Sequence, residues 1–269
     1  MLLRFTVFSW VALSACTALH NNPDHPRPIQ KGLPGTIFLR DSLWLDQYEL
    51  TNADWREYVG WLVRQHGTGS PEYLAALPDS AFWLTHHDLS NEPQHETYFR
   101  ATRYDDYPIT GISHEQAVAY CQWRTERVRE AVCATPPEKT AMPQRFRYRL
   151  PSVAEWEYAA TAGLNAEEHP FGYISLRDKK GHHKVVTKET LPANTDPSAT
   201  FGLPRNTGSP NRYGFHNLIG NVAEMVAEQG VAKGGSYANT LEESRVKNEI
   251  RYDRAMPWLG FRCVCAVGK

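Results

Sequence analysis

No charge of either sign predominates in this sequence: 29 Lys and Arg stand against 30 Asp and Glu over 269 residues, a formal net charge of −1. A balanced chain has no global field to hold nucleic acid or an anionic membrane surface. Either partner then requires a local basic patch, and reading along the chain finds none, so nucleic acid is not an expected partner. Long apolar runs are also missing. The N-terminal stretch from Phe5 to Ala15 covers 11 residues, against roughly 20 for a membrane-spanning helix. No period repeats along the chain, which argues against solenoids and propellers. With 41% hydrophobic residues, most of the chain has enough apolar surface to form a core and is not disordered. Cysteine is scarce and odd in number, five in all, so any set of intramolecular bridges leaves one thiol over.

What is present points to turns and aromatic packing. Eighteen Gly, 18 Pro, 8 Trp and 13 Tyr suit a fold of short elements and structured loops better than one of long helices. Three segments carry helix starts. Thr51-Asn-Ala-Asp-Trp55 places a cap before Trp55, Tyr58, Val59 and Leu62, which share one helical face. Ser113-His-Glu-Gln116 is a capping box ahead of Ala117, Val118, Tyr120 and Cys121, and Ser152-Val-Ala-Glu155 is another ahead of Trp156, Ala159 and Ala160. Short β-like runs lie at Thr36–Leu39, Phe146–Leu150 and Phe261–Cys265. The pattern is α+β with long loops that need turn chemistry, ions or cross-links to hold them.

The N-terminus reads as an export signal: Arg4, the apolar run, then Ser14 and Ala15 before Cys16. Leu13-Ser-Ala-Cys16 matches the bacterial lipobox, in which the cysteine is acylated and becomes the mature N-terminus; the alternative is a plain cleaved signal. The expected division is a signal peptide at 1–15, an extended tether at 16–33 and one domain at 34–269. Lipid on Cys16 ties the chain to a membrane, with the bacterial outer membrane the expected site. The rest is then extracytoplasmic, where disulfides are permitted.

Six segments occur in order: Tyr48-Glu-Leu-Thr-Asn52, Tyr107 to Trp123, Arg149-Leu-Pro-Ser-Val-Ala-Glu-Trp-Glu-Tyr158, Asn211 to Glu224, Lys233-Gly-Gly-Ser-Tyr237 and Gly260-Phe-Arg-Cys263. Together they resemble the formylglycine-generating, or sulfatase-modifying factor, family over about residues 34 to 267. The resemblance implies a variant of the C-type lectin fold, α+β with little regular structure.

It also implies a calcium ion held by the side chains of Asn217 and Glu224 and the backbones of Gly220 and Val222. Carboxylate and carbonyl oxygens in a short loop are the ligand chemistry of a hard cation. The plainer reading is a turn in which Asn217 and Asn221 cap backbone groups. Asn194 and Thr195 match only the first half of a second calcium loop of the family. Gly234-Gly235 suggests a backbone at positive φ or in close approach to another segment.

Family enzymes hold copper(I) between two thiols, soft metal between soft ligands. Here those positions are Asn239 and Ser244, so no copper is expected. The resemblance implies a disulfide between Cys121 and Cys263. Cys133 and Cys265 form either a second bridge or two buried free thiols, Cys265 being read as projecting from the strand face opposite Cys263.

The histidines His86, His87, His95, His182, His183 and His216 lack the i, i+4 spacing of a helical metal site and read as solvated loop residues. Nothing like a nucleophile elbow surrounds Ser244. The insertion from Gly67 to Tyr104 reads as a surface excursion, with a lid or docking surface as the alternative. The function these readings favour is a non-catalytic, lipid-anchored envelope module that binds a protein or glycan partner, resembling gliding-motility and type IX secretion lipoproteins. The alternative is a divergent enzyme acting on a peptide or small molecule in a cleft near Asn239, Ser244, Arg251 and Trp258.

Overall fold

The computed structural model describes residue 33 and residues 35–79, 98–135, 145–191 and 202–268. The leader, Cys16, the tether up to residue 32, Asn194, Thr195, Trp83, His86, His87 and His95 lie outside the described residues.

All three helix starts fold as their caps dictate. Helix α1 (Asn52–His66) begins where the Thr51 side chain accepts from the Asp54 N–H and the Asp54 carboxylate accepts from the Thr51 N–H. Each capping box satisfies two N–H groups that a helix start otherwise leaves orphaned. Trp55, Tyr58 and Leu62 are buried, with Val59 half-buried at the edge of the stripe. A short α2 (Pro71–Ala75) follows, capped by Ser70. Helix α3 (His114–Ala134) opens on the Ser113/Gln116 box and α4 (Val153–Thr161) on the Ser152/Glu155 box.

Two small sheets carry the rest. In the first, β1 (Thr36–Arg40), β2 (Leu43–Asp46), β8 (Val264–Val267) and β3 (Phe146–Arg149) lie side by side in that order, all antiparallel. In the second the order is β6 (Ile250–Arg251), β5 (Val231–Lys233), β4 (Ala223–Met225) and β7 (Leu259–Gly260), with β4 and β7 parallel. These strands of two or three residues are too short for a hydrophobic period to show in sequence.

Strand β8 divides the core. Val264 packs into one cluster with Trp156, Phe215, Leu218 and Leu45. Cys263 and Cys265 face the other, with Trp55, Tyr58, Tyr120 and Phe261. This corrects the facing expected for Cys265: residues two apart on a strand share a side. The strand also starts three residues later than the Phe261 run predicts. Phe261 and Cys263 instead give their carbonyls to the N–H groups of Leu50 and Asp46, both at 2.9 Å. The aromatic cluster is continuous: Trp55 lies 5.6 Å from Tyr120 and 6.3 Å from Phe261 between ring centres.

Cys121 on α3 and Cys263 are buried with their sulfurs 3.4 Å apart, as thiols in contact. Cys133 is exposed near the end of α3 while Cys265 is buried, so these are not two buried thiols.

Candidate functional site

The middle of the molecule is polar. Arg262 is fully buried in the segment leading into β8 and aims its guanidinium at the end of β4. Its Nε donates to Glu224 Oε2 at 2.8 Å and its Nη2 to Glu224 Oε1 at 2.6 Å. The remaining N–H groups donate to the carbonyls of Asp46, Gln47 and His216. Trp156 of α4 adds its indole N–H to Glu224 Oε2 at 2.8 Å. Glu224 sits opposite Lys233 of β5, whose buried ammonium is taken by Glu157 at 2.9 Å.

A second buried carboxylate lies beside this pair. Glu49, 2% exposed, accepts from Asn217 Nδ2 at 2.9 Å, from Asn221 Nδ2 at 3.0 Å and from the Val222 N–H at 3.4 Å. Asn217, Gly220 and Asn221 hold positive φ; the Gly220 and Asn221 N–H groups donate to the carbonyls of Gly234 and Val186, and of the loop's backbone donors it is Val222 that reaches Glu49. Gly220 has no room for a side chain: a Cβ would stand 2.1 Å from the Val186 carbonyl oxygen. Burial, and then the charge of Glu224, push the Glu49 carboxyl up to about 8 despite Arg262 and the two amides. Two buried carboxylates thus share one guanidinium, and the deficit is met either by a proton on Glu49 or by a further cation. Glu224 Oε1, accepting a single hydrogen bond from Arg262, keeps a lone pair, and the oxygens of Asn217, Gly220 and Val222 lie on the same loop.

Of the expected calcium ligands, Asn217 and Val222 meet at Glu49, Glu224 is held by Arg262 and Trp156, and Gly220 gives its N–H to the Gly234 carbonyl. Sequence alone does not single out Glu49 or Arg262. The available signal for Glu49 was a carboxylate between Tyr48 and Leu50, two residues before a helix cap.

The positions matched to the copper thiols lie elsewhere. Asn239 accepts from Ser236 Oγ at 2.7 Å within a turn. Ser244 is fully buried, donates to the Thr240 carbonyl at 2.8 Å and lies against Gly235, where a Cβ would fall 2.0 Å from its Oγ. Asn239 and Arg251 line an open cleft of about 590 Å³ with Glu243, Lys247 and Glu249. Its cations are paired, Arg251 with Glu249 at 2.7 Å and Lys247 with Glu157. Ser244 does not line the cleft, and Trp258 packs at the margin of the aromatic core. Among the described residues, no three His, Cys, Asp or Glu side chains converge on a metal position.

Two small sheets, few helices, long structured loops and a buried Glu–Arg–Glu node define a protein of the formylglycine-generating-enzyme-like fold. The model of the sulfatase-modifying factor enzyme 1-like domain matches residues 20–267, and the chain belongs to that family. Formylglycine-generating enzyme of Mus musculus is 26% identical over 288 aligned positions, covering 89% of this chain and 70% of that protein. The inactive C-alpha-formylglycine-generating enzyme 2 of the same species is 25% identical, covering 84% and 75%. PvdO from Pseudomonas aeruginosa shares the fold at a TM-score of 0.55 and 18% identity, covering 90% of this chain and 87% of that one.

Proposed function

We propose that the chain is a non-catalytic, exported envelope protein, anchored by lipid on Cys16, whose family domain binds a protein or glycan partner. What supports the reading is Asn239 and Ser244 at the two positions that the family resemblance matches to copper thiols. An amide and a hydroxyl are hard donors that do not hold copper(I), and Ser244 spends its hydroxyl on a backbone carbonyl. The similarity to relatives named inactive is in keeping with this. Calcium belongs to the same proposal, with Asn217, Gly220, Val222 and Glu224 as ligands and Glu49 as the neighbouring charge that the ion offsets.

The divergent-enzyme reading rests on the cleft beside Asn239 and Arg251, whose cations are already paired, Arg251 with Glu249 and Lys247 with Glu157. Labelling cells with a radioactive fatty acid tests the anchoring. Label in the wild-type chain and none in Cys16→Ala, which should leave the membrane fraction, is the expected result. Equal labelling of both, or none in either, overturns the anchor.

A further inference from the structure

Residues 174–184 fold into a hairpin that stands out from the domain. Lys184 donates its N–H to the Leu176 carbonyl at 2.9 Å and Asp178 donates to the His182 carbonyl at 2.9 Å. Asp178 ties the tip. Its Oδ1 accepts from the N–H groups of Lys180 and His182 at 2.8 and 2.9 Å, and its Oδ2 lies 3.2 Å from His182 Nδ1. Arg177 Nη1 donates to the Gly181 carbonyl at 2.7 Å, and Gly181 supplies the positive φ the turn needs. At the base the Tyr173 hydroxyl donates to the Ser209 carbonyl, and Val185 and Val186 are buried. The tip is therefore preorganised.

The hairpin carries Arg177, Lys179, Lys180 and Lys184 against the single carboxylate of Asp178, on a chain whose net charge is −1. Asp178 is engaged by the turn itself, while Arg177, Lys179, Lys180, His182 and His183 are exposed. At the base stands Ile174, 70% exposed and the most exposed large hydrophobic residue among those described. Lys184 Nζ lies 5.8 Å over the ring of Tyr173, the residue before Ile174.

We propose that this hairpin docks the domain on an anionic lipid surface, with Arg177, Lys179, Lys180 and Lys184 on phosphate headgroups and Ile174 entering the interface. The combination selects the partner. A soluble polyanion rewards cations but gains nothing from an exposed isoleucine, whereas a lipid interface rewards both. The attraction is local, because neighbouring surface charges are screened beyond about 10 Å in salt. It goes beyond the envelope reading and does not depend on acylation.

The test uses the full chain carrying Cys16→Ala, which cannot be acylated, sedimented with phosphatidylcholine vesicles with and without phosphatidylglycerol. Comparison with the same chain bearing Lys179→Glu and Lys180→Glu cancels any contribution of the apolar leader. The double variant should bind anionic vesicles about tenfold more weakly or worse, with an unchanged melting temperature. Ile174→Ser should weaken binding while keeping its salt dependence. Equal binding by parent and double variant overturns the proposal. So does unaltered binding by Ile174→Ser together with full competition from a sulfated polysaccharide, which assigns the hairpin to a soluble polyanion.

Discussion

Arg262 is cut off from water and makes five hydrogen bonds, two to Glu224 and three to carbonyls of segments distant in the chain. Removing one partner of a buried pair costs far more than the pair contributes, because the other charge is left uncompensated. Arg262→Met should destabilise by about 3–5 kcal/mol in denaturant titration, and Arg262→Lys should recover little, since a point charge cannot reproduce the fork. Glu49 gives a pH dependence. Its carboxyl is raised from 4.5 to about 8 in the folded state. Between those values the folded chain holds the extra proton. The stability it contributes is complete below 4.5 and is lost as pH rises toward 8, a change on the order of a few kcal/mol. In chelator, stability should fall over that window and Glu49→Gln should flatten the profile. Added calcium should also flatten it and raise the melting temperature, because the ion favours the carboxylate. An identical profile with and without calcium contradicts the calcium assignment. None of this node was legible as a network: Arg262 and the Asp46 and Gln47 carbonyls it binds are more than 200 residues apart.

At the scale of elements, the local signals were the readable ones. A capping box joins residues three apart, so Ser113/Gln116 and Ser152/Glu155 can be read directly and both fold as read. Ser152→Ala should cost about 1 kcal/mol. Glu155→Ala should cost more, because Glu155 also takes Arg149 at 2.7 Å through both oxygens; a chemical denaturation curve for each variant checks the order. Strands β4 to β7 were not readable, since pairing across the sheet defines them and their length does not. The Phe261 run misleads for a related reason: its carbonyls pair with irregular segments at Leu50 and Asp46, and the ladder begins only at Val264. The basic hairpin escaped the reading of charge because Asp178, Gly181 and two histidines separate its cations in sequence, while the turn gathers them in space.

Among the described residues the two larger cores lie on either side of the β8 sheet, with a small cluster around Tyr98 beside them and the polar node linking that sheet to the second. The structure leaves Cys121 and Cys263 as thiols 3.4 Å apart; the cross-link that the family resemblance implies there would join residues 142 apart in sequence. In the chain-entropy account such a closure contributes about 4–5 kcal/mol. Non-reducing peptide mapping of exported protein should recover the Cys121–Cys263 pair, and free thiols at both remove that contribution. Family membership and fold were legible because six short motifs keep their order. Function was less so, since the proposal turns on two positions, Asn239 and Ser244, matched to the family's copper thiols by resemblance. The decisive measurement is incubation of the purified chain with copper(I), oxygen and a Cys-x-Pro-x-Arg peptide, followed by mass spectrometry of the peptide. The account predicts that its cysteine is recovered unchanged. Conversion of that cysteine to formylglycine would contradict it.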